Sequence, residues 1–325
     1  MKKLLSQLKP YLRWTIVIAI IVFLGKSFKE NWQEVTHIHI TSIGWLYLSL
    51  SVFFTLIAYT WAGWVWSWIL RELNHSVSSP WLIRVYLKTN LAKYLPGNVW
   101  HYYGRISSVT SADVPTATAT FSVLVEPLLI AAAAISFIVI GTQFNSVAVT
   151  PTVTENSLIG SWQLYGLMGV LLLLHPQFLN RVLQVMGKFQ VAQDSQPLDT
   201  VSLQVRRYPM IPLFGGIVYL ALRTAGFLCV VLALTPITPE QFPLLLTAFS
   251  LAWLSSSLIP GAPGGIGVFE ATVLAILSNP FSMGVVLSVT ALYRLINTLA
   301  EAIGAGLASL VEGSFRLVAS EAELS

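Results

Sequence analysis

Leu258-Ile259-Pro260-Gly261-Ala262-Pro263-Gly264-Gly265-Ile266-Gly267-Val268-Phe269-Glu270 lies inside an apolar run that extends from Phe242 to Leu277. Hydropathy alone reads that run as one membrane-crossing helix. Pro260, Pro263 and the glycines beside them forbid it, because proline removes a helical hydrogen bond and glycine weakens a helix interior. The backbone therefore breaks part-way through. An earlier stretch, Lys93-Tyr94-Leu95-Pro96-Gly97-Asn98-Val99-Trp100, does the same. Paired breaks in the two halves of a membrane protein point to a binding site near the midplane.

Composition sets the class. The chain has 325 residues, 55% hydrophobic and only 10% charged, with mean hydropathy +0.72. Soluble domains carry about 25% charged residues. The reading is an all-α polytopic membrane protein. The short alternating segments of an outer-membrane barrel are not seen. The pI of 9.2 does not indicate nucleic acid, because the basic residues sit in loops beside apolar spans. The single cysteine, Cys229, makes neither an internal disulfide nor a thiolate metal site. His37, His39, His75, His101 and His175 form no metal-ligand pattern, so no metal or other cofactor is expected.

About six full spans and two re-entrant hairpins are predicted, within one membrane domain over 1–325. A basic N-terminus leads into a retained first span, 12–25. The first unit, 43–140, holds a Trp-rich span, a hairpin over 81–109 and a span opened by Pro115. Trp45, Trp61, Trp64, Trp66 and Trp68 are read as headgroup anchors. A span over 158–175 and a cytoplasmic connector over 177–209 follow. The second unit, 210–311, holds a span, the hairpin over 242–277 and a last span, before a short acidic tail.

Charge gives the orientation. There are eighteen lysines and arginines. With the N-terminus inside, only Lys26 and Lys29 fall outside, and Arg223 and Arg294 fall within spans. This is the positive-inside asymmetry of a cytoplasmic membrane protein with both termini cytoplasmic. The first hairpin then enters from the cytoplasm and the second from the outer side. The two units become inverted repeats, a transporter architecture.

Glu126, Arg223, Glu270, Arg294 and Glu301 sit where lipid or packed helix is expected. Each costs roughly 2.5–3.5 kcal/mol at a bilayer centre. Either they pair statically or some of them line a polar pocket. Arg294, Asn297 and Glu301 follow an i, i+3, i+7 spacing, which makes one polar stripe. Tyr219 and Arg223 share a face of another helix. At the tips, Asn98 can cap a helix start. Gly264 and Gly265 let backbone approach a bound group, whereas Gly267 is read as a helix-packing glycine. Unpaired N–H groups at a mid-membrane helix start suit a phosphate or carboxylate. Lys93, Tyr94, Trp100, His101, Tyr102, Tyr103 and Arg105 surround the first tip. They suit lipid headgroups, and equally serve as interfacial anchors. No nucleophile–base pair is found, so an enzyme is not expected.

The Lys93-Tyr94-Leu95-Pro96-Gly97 and Gly104-Arg105 motifs, Glu126, Pro263-Gly264-Gly265-Ile266-Gly267-Val268-Phe269-Glu270-Ala271 and Tyr293-Arg294-Leu295 resemble the lysylphosphatidylglycerol synthase transmembrane-region family. Members look like the flippase half of the multiple peptide resistance factor. The resemblance covers nearly the whole chain and implies lipid handling. It makes Arg105, Glu126, Glu270 and Arg294 the leading site residues. The family often has a basic residue after the middle glutamate, where this chain has Pro127. The aminoacyl-transferase domain of the full-length factor is not seen, so lipid synthesis is not implied.

The resulting expectation is a lipid translocase with a site formed by Arg105, Glu126, Arg223, Glu270, Arg294 and Glu301. The tips at Pro96, Gly97, Asn98, Pro260, Gly261, Pro263, Gly264 and Gly265 complete it. Its partners are membrane lipids: an anionic or aminoacylated phospholipid, or a polyprenyl-phosphate sugar. A membrane scaffold for a lipid-modifying enzyme is the alternative. A homo-oligomer and a transferase partner stay open.

Overall fold

The structure is a computed structural model and describes residues 29, 40–95, 99–144, 162–182, 208–258, 265 and 267–323. The expected first span, 12–25, and most of the connector over 177–209 lie outside the described residues. So do the tip residues Pro96, Gly97, Asn98, Pro260, Gly261, Pro263 and Gly264.

The described residues form helices throughout. The first, α1 (Ser42–Glu72), starts where Thr41 accepts a hydrogen bond from the N–H of Gly44. At 31 residues it is about 46 Å long, so it overreaches a 30 Å hydrocarbon core. Asn74, at φ 64°, then turns the chain into α2 (Ser79–Asn90), which Pro80 opens from its first turn. A 3₁₀ turn (Leu91–Tyr94) extends α2 towards the first tip, and α3 (Trp100–Thr110) returns from it. The span α4 (Thr116–Phe144) completes the first unit. After α5 (Trp162–Leu173), the second unit repeats the order of span, helix pair and span. Its helices are α6 (Met210–Leu234), α7 (Phe242–Leu258), α8 (Val268–Leu277) and α9 (Met283–Glu323).

Five described helices are long and apolar enough to cross a membrane: 42–72, 116–144, 210–234, 239–258 and 283–312. The helices of the second hairpin start and end at the expected bounds, 242 and 277, but its arms differ in length. The descending arm of the second hairpin, with its 3₁₀ start (Pro239–Gln241), has 20 residues and is as long as a span, whereas α8 has only 10. The hairpin's arms are thus unequal, because α7 runs to Leu258 while α8 starts only at Val268. The C-terminal segment expected as a tail continues α9 as helix to Glu323. In the expected span over 158–175, the described helix is α5, of 12 residues.

Close packing of α1 on α6 forms the centre. Small residues allow it. A Cβ at Gly215 would lie 2.5 Å from a Val65 methyl, and one at Gly226 3.0 Å from the Thr55 hydroxyl. Ser51 donates to the Gly226 carbonyl at 2.7 Å.

The tryptophans of α1 divide. Trp45 and Trp64 are exposed, as anchors would be. Trp66 is not an anchor: it is fully buried and its indole N–H donates to Ser122 Oγ of α4 at 3.1 Å. Trp61 donates to the Gly215 carbonyl at 2.9 Å. Buried indoles need an acceptor, and these two find theirs on neighbouring helices.

The second hairpin is fastened by rings. Phe227 (α6), Phe249 (α7), Phe269 (α8) and Tyr293 (α9) are all buried, with centroids 5.3–6.4 Å apart. The first hairpin is fastened by charge. Lys88 pairs with Glu312, and Lys93 with Glu301. Residue numbers rise along α2 while they fall along α9, so the two run antiparallel.

Candidate functional site

Helix geometry first fixes the depth of the ionisable residues. At about 1.5 Å per residue, Glu126 is ~15 Å along α4, Arg223 ~20 Å along α6 and Arg294 ~16 Å along α9. Each lies between about a third and just over half of the way along its apolar span, 116–144, 210–234 or 283–312, and the helices place all three around one cavity.

That cavity has a volume of about 210 Å³ and is walled by both hairpins and by α1, α4, α6 and α9. Arg105, Glu126, Arg223, Glu270, Arg294 and Gly265 line it. Glu301 does not; it lies behind the wall, 1% exposed, and reaches the site through Lys93. Five of the six ionisable candidates therefore converge on one space, and the sixth supports it.

The charges are arranged in layers. Arg105 Nη1 donates to Glu126 Oε2 at 2.9 Å, and Tyr86 donates to Glu126 Oε1 at 2.6 Å. Arg105 Nη2 reaches Asn90 Oδ1 at 3.3 Å, and its guanidinium lies 3.6 Å from the Tyr86 ring centroid. Glu126 thus has a basic partner, although Pro127 follows it. The partner comes from α3 instead of the next residue.

Arg294 pairs with Glu270 through Nε and reaches the Gly265 carbonyl at 3.4 Å. The second oxygen of Glu270 accepts the Gly267 N–H at 2.7 Å, which caps α8. Gly265 and Gly267 have φ of 70° and 89°. Gly267 is therefore not a packing glycine, as expected from sequence, but one chosen for its backbone conformation. A Cβ at Gly265 would also lie 2.8 Å from Ser256 Cβ, so this glycine fixes how closely the tip approaches α7.

Arg223 differs from the other two arginines. It is 7% exposed, and its Nη1 donates to Tyr59 OH and Asn297 Oδ1, both at 2.6 Å. Both partners are neutral. Its Nε is buried without a hydrogen-bond partner, and it forms no ion pair among the described residues. The guanidinium lies 5.0 and 5.5 Å from the Tyr59 and Tyr293 ring centroids, within cation–π reach.

The sequence profile of the lysylphosphatidylglycerol synthase TM region family matches residues 12–304. The chain belongs to this family. It is a multi-pass membrane protein of a family related to lipid modification or transport. No curated protein matches the chain. Membership sets the site against membrane lipids in general, and Arg105, Glu126, Glu270 and Arg294, the leading site residues of the resemblance, line this cavity. Arg105 and Glu126 form its first buried pair, and Glu270 and Arg294 its second.

Several wall residues escaped the sequence reading. Lys93 was read at a headgroup interface, yet it is a cavity cation bound to Glu301. Tyr59 and Asn90 gave no signal on their own, since a tyrosine or asparagine in apolar text is ordinary. Asn297 was visible as part of the α9 stripe, though not as the partner of Arg223.

Proposed function

We propose that this family member is a lipid translocase of the cytoplasmic membrane, with both termini cytoplasmic. A lipid headgroup enters the cavity between the two hairpins while its acyl chains stay in the bilayer. One observation carries the reading: a cavity walled by both helix pairs and by span-length helices, with four basic side chains in its wall. Static helix glue needs no such space, because paired charges pack directly against one another. Burying this many ionisable groups around a void is costly, and a polar substrate offsets that cost.

The hairpins are the moving parts of this reading. Ion pairs hold each to α9, Lys88–Glu312 and Lys93–Glu301 for the first and Glu270–Arg294 for the second. Loosening one hairpin's pairs at a time opens the cavity to one side and then the other, the rocking of inverted halves about a fixed site. Glu126 and Glu270 hold arginines, and the process requires no bond-breaking step.

Headgroup cross-linking tests the site. A phospholipid with a photoreactive group at its head is irradiated with the full chain in bilayers, and the adducts are mapped. Adducts on the cavity faces of α3, α6 and α9 are expected. Adducts confined to bilayer-facing residues such as Phe53 and Phe214 would remove the cavity from the path.

A further inference from the structure

The cavity's charge is not balanced. Its wall carries Lys93, Arg105, Arg223 and Arg294 against Glu126 and Glu270, with His101 as a further titratable group. Glu301, just behind the wall, neutralises Lys93. Glu126 neutralises Arg105 and Glu270 neutralises Arg294. One positive charge is left, that of Arg223.

The carboxylates are also fully occupied on the cavity side. Both oxygens of Glu126 are taken, by Arg105 and Tyr86. Both oxygens of Glu270 are taken, by Arg294 and the Gly267 N–H. The second oxygen of Glu301 has no partner, but it is buried outside the wall. The aromatic faces follow the same pattern. Tyr59, Tyr86, Tyr94 and Tyr293 already carry protein cations within cation–π distance. Tyr102, Tyr219, Trp253 and Phe269 line the wall without one, yet the wall's carboxylates, Glu126 and Glu270, are both already paired. An ammonium headgroup therefore finds no free counter-charge, whereas an anion finds Arg223.

We infer that this site selects lipids whose headgroup carries net negative charge through a phosphate seated at Arg223, and discriminates against aminoacylated and zwitterionic lipids. The inference rests on the translocase reading for its occupant, a lipid, and narrows the class. Tyr59 and Asn297 act as positioning residues. Both hold Nη1, and Nε is buried, which leaves Nη2 for a phosphate oxygen. A guanidinium already fixed by neutral acceptors has little rotamer freedom to lose on binding.

The test is equilibrium binding to the purified full chain in micelles, which requires no transport. The probes are dioctanoyl phosphatidylglycerol, dioctanoyl phosphatidylcholine, lysyl-dioctanoyl phosphatidylglycerol and inorganic phosphate. Phosphatidylglycerol is expected to bind at least about tenfold more tightly than the other three, the effect of ~1.4 kcal/mol. Arg223→Gln should abolish that preference and Arg223→Lys should keep most of it. Should Arg223→Gln fail to fold, Asn297→Asp serves, because a carboxylate beside Arg223 removes the surplus charge and should also abolish the preference. Equal or tighter binding of the lysyl or choline lipid by the unmodified protein overturns the inference. A preference that survives Arg223→Gln or Asn297→Asp does so as well. Equal binding of inorganic phosphate overturns the lipid source and makes this a free-anion site. Because transport is measured separately, loss of the translocase reading and loss of the charge preference are distinguishable results.

Discussion

Arg294 and Glu301 stand seven residues apart on α9, and each holds a different hairpin: Arg294 pairs with Glu270 and Glu301 with Lys93. The helix offers a cation to the second hairpin and an anion to the first. Both contacts fall on the stripe that also carries Asn297, the partner of Arg223. α9 is thus the element that contacts both hairpins and Arg223.

The Lys93–Glu301 contact should dominate stability. Glu301 has no exposed side-chain surface, so Lys93→Ala leaves a buried carboxylate without its cation. Losing one partner of a buried pair costs about 3–5 kcal/mol. Thermal unfolding in one detergent should show a large fall for Lys93→Ala and a much smaller one for the double variant Lys93→Met with Glu301→Leu. Equal falls would mean that the pair does not hold the hairpin.

The middle pair makes a graded prediction. Tyr86→Phe removes a buried O–H that donates to the Glu126 carboxylate. A hydrogen bond to a charged group is worth about 1.5–3 kcal/mol. Thermal unfolding should register that loss without loss of fold, while Glu126→Ala, which also strips Arg105 of its counter-charge, should cost more.

Gly265 and Gly306 form a matched contrast. At φ 70°, with a Ser256 side chain 2.8 Å from where its Cβ would be, Gly265→Ala carries a left-handed penalty of about 1–2 kcal/mol besides the clash. Gly306, mid-helix in α9, has nothing within 4 Å, so Gly306→Ala should be neutral or gain up to about 1 kcal/mol in helix propensity. The same unfolding assay ranks the two.

Four spans were legible in hydropathy, over 43–70, 115–140, 210–234 and 284–310, because a long apolar helix needs no tertiary context to declare itself. The hairpin breaks were legible because proline and glycine act locally. Pairing was not. Nothing near Glu126 in sequence names Arg105, since the contact joins α3 to α4 across a turn. Lys93 looked interfacial because it adjoins a Pro-Gly break, and only the fold brings Glu301 to it. Trp66 looked like an anchor because composition does not say which face of α1 meets α4. Trp66→Phe should therefore destabilise the protein measurably, and Trp45→Phe, on an exposed face, should not.

Transport is the central claim. The full chain is reconstituted into vesicles that contain a trace of acyl-labelled fluorescent phosphatidylglycerol, and a membrane-impermeant reductant is added outside. The prediction is that bleaching runs past the outer-leaflet fraction with the unmodified protein and is markedly slowed in Arg294→Ala, which frees the second hairpin's Glu270. Bleaching that stops at the outer-leaflet fraction, as in protein-free vesicles, would contradict it.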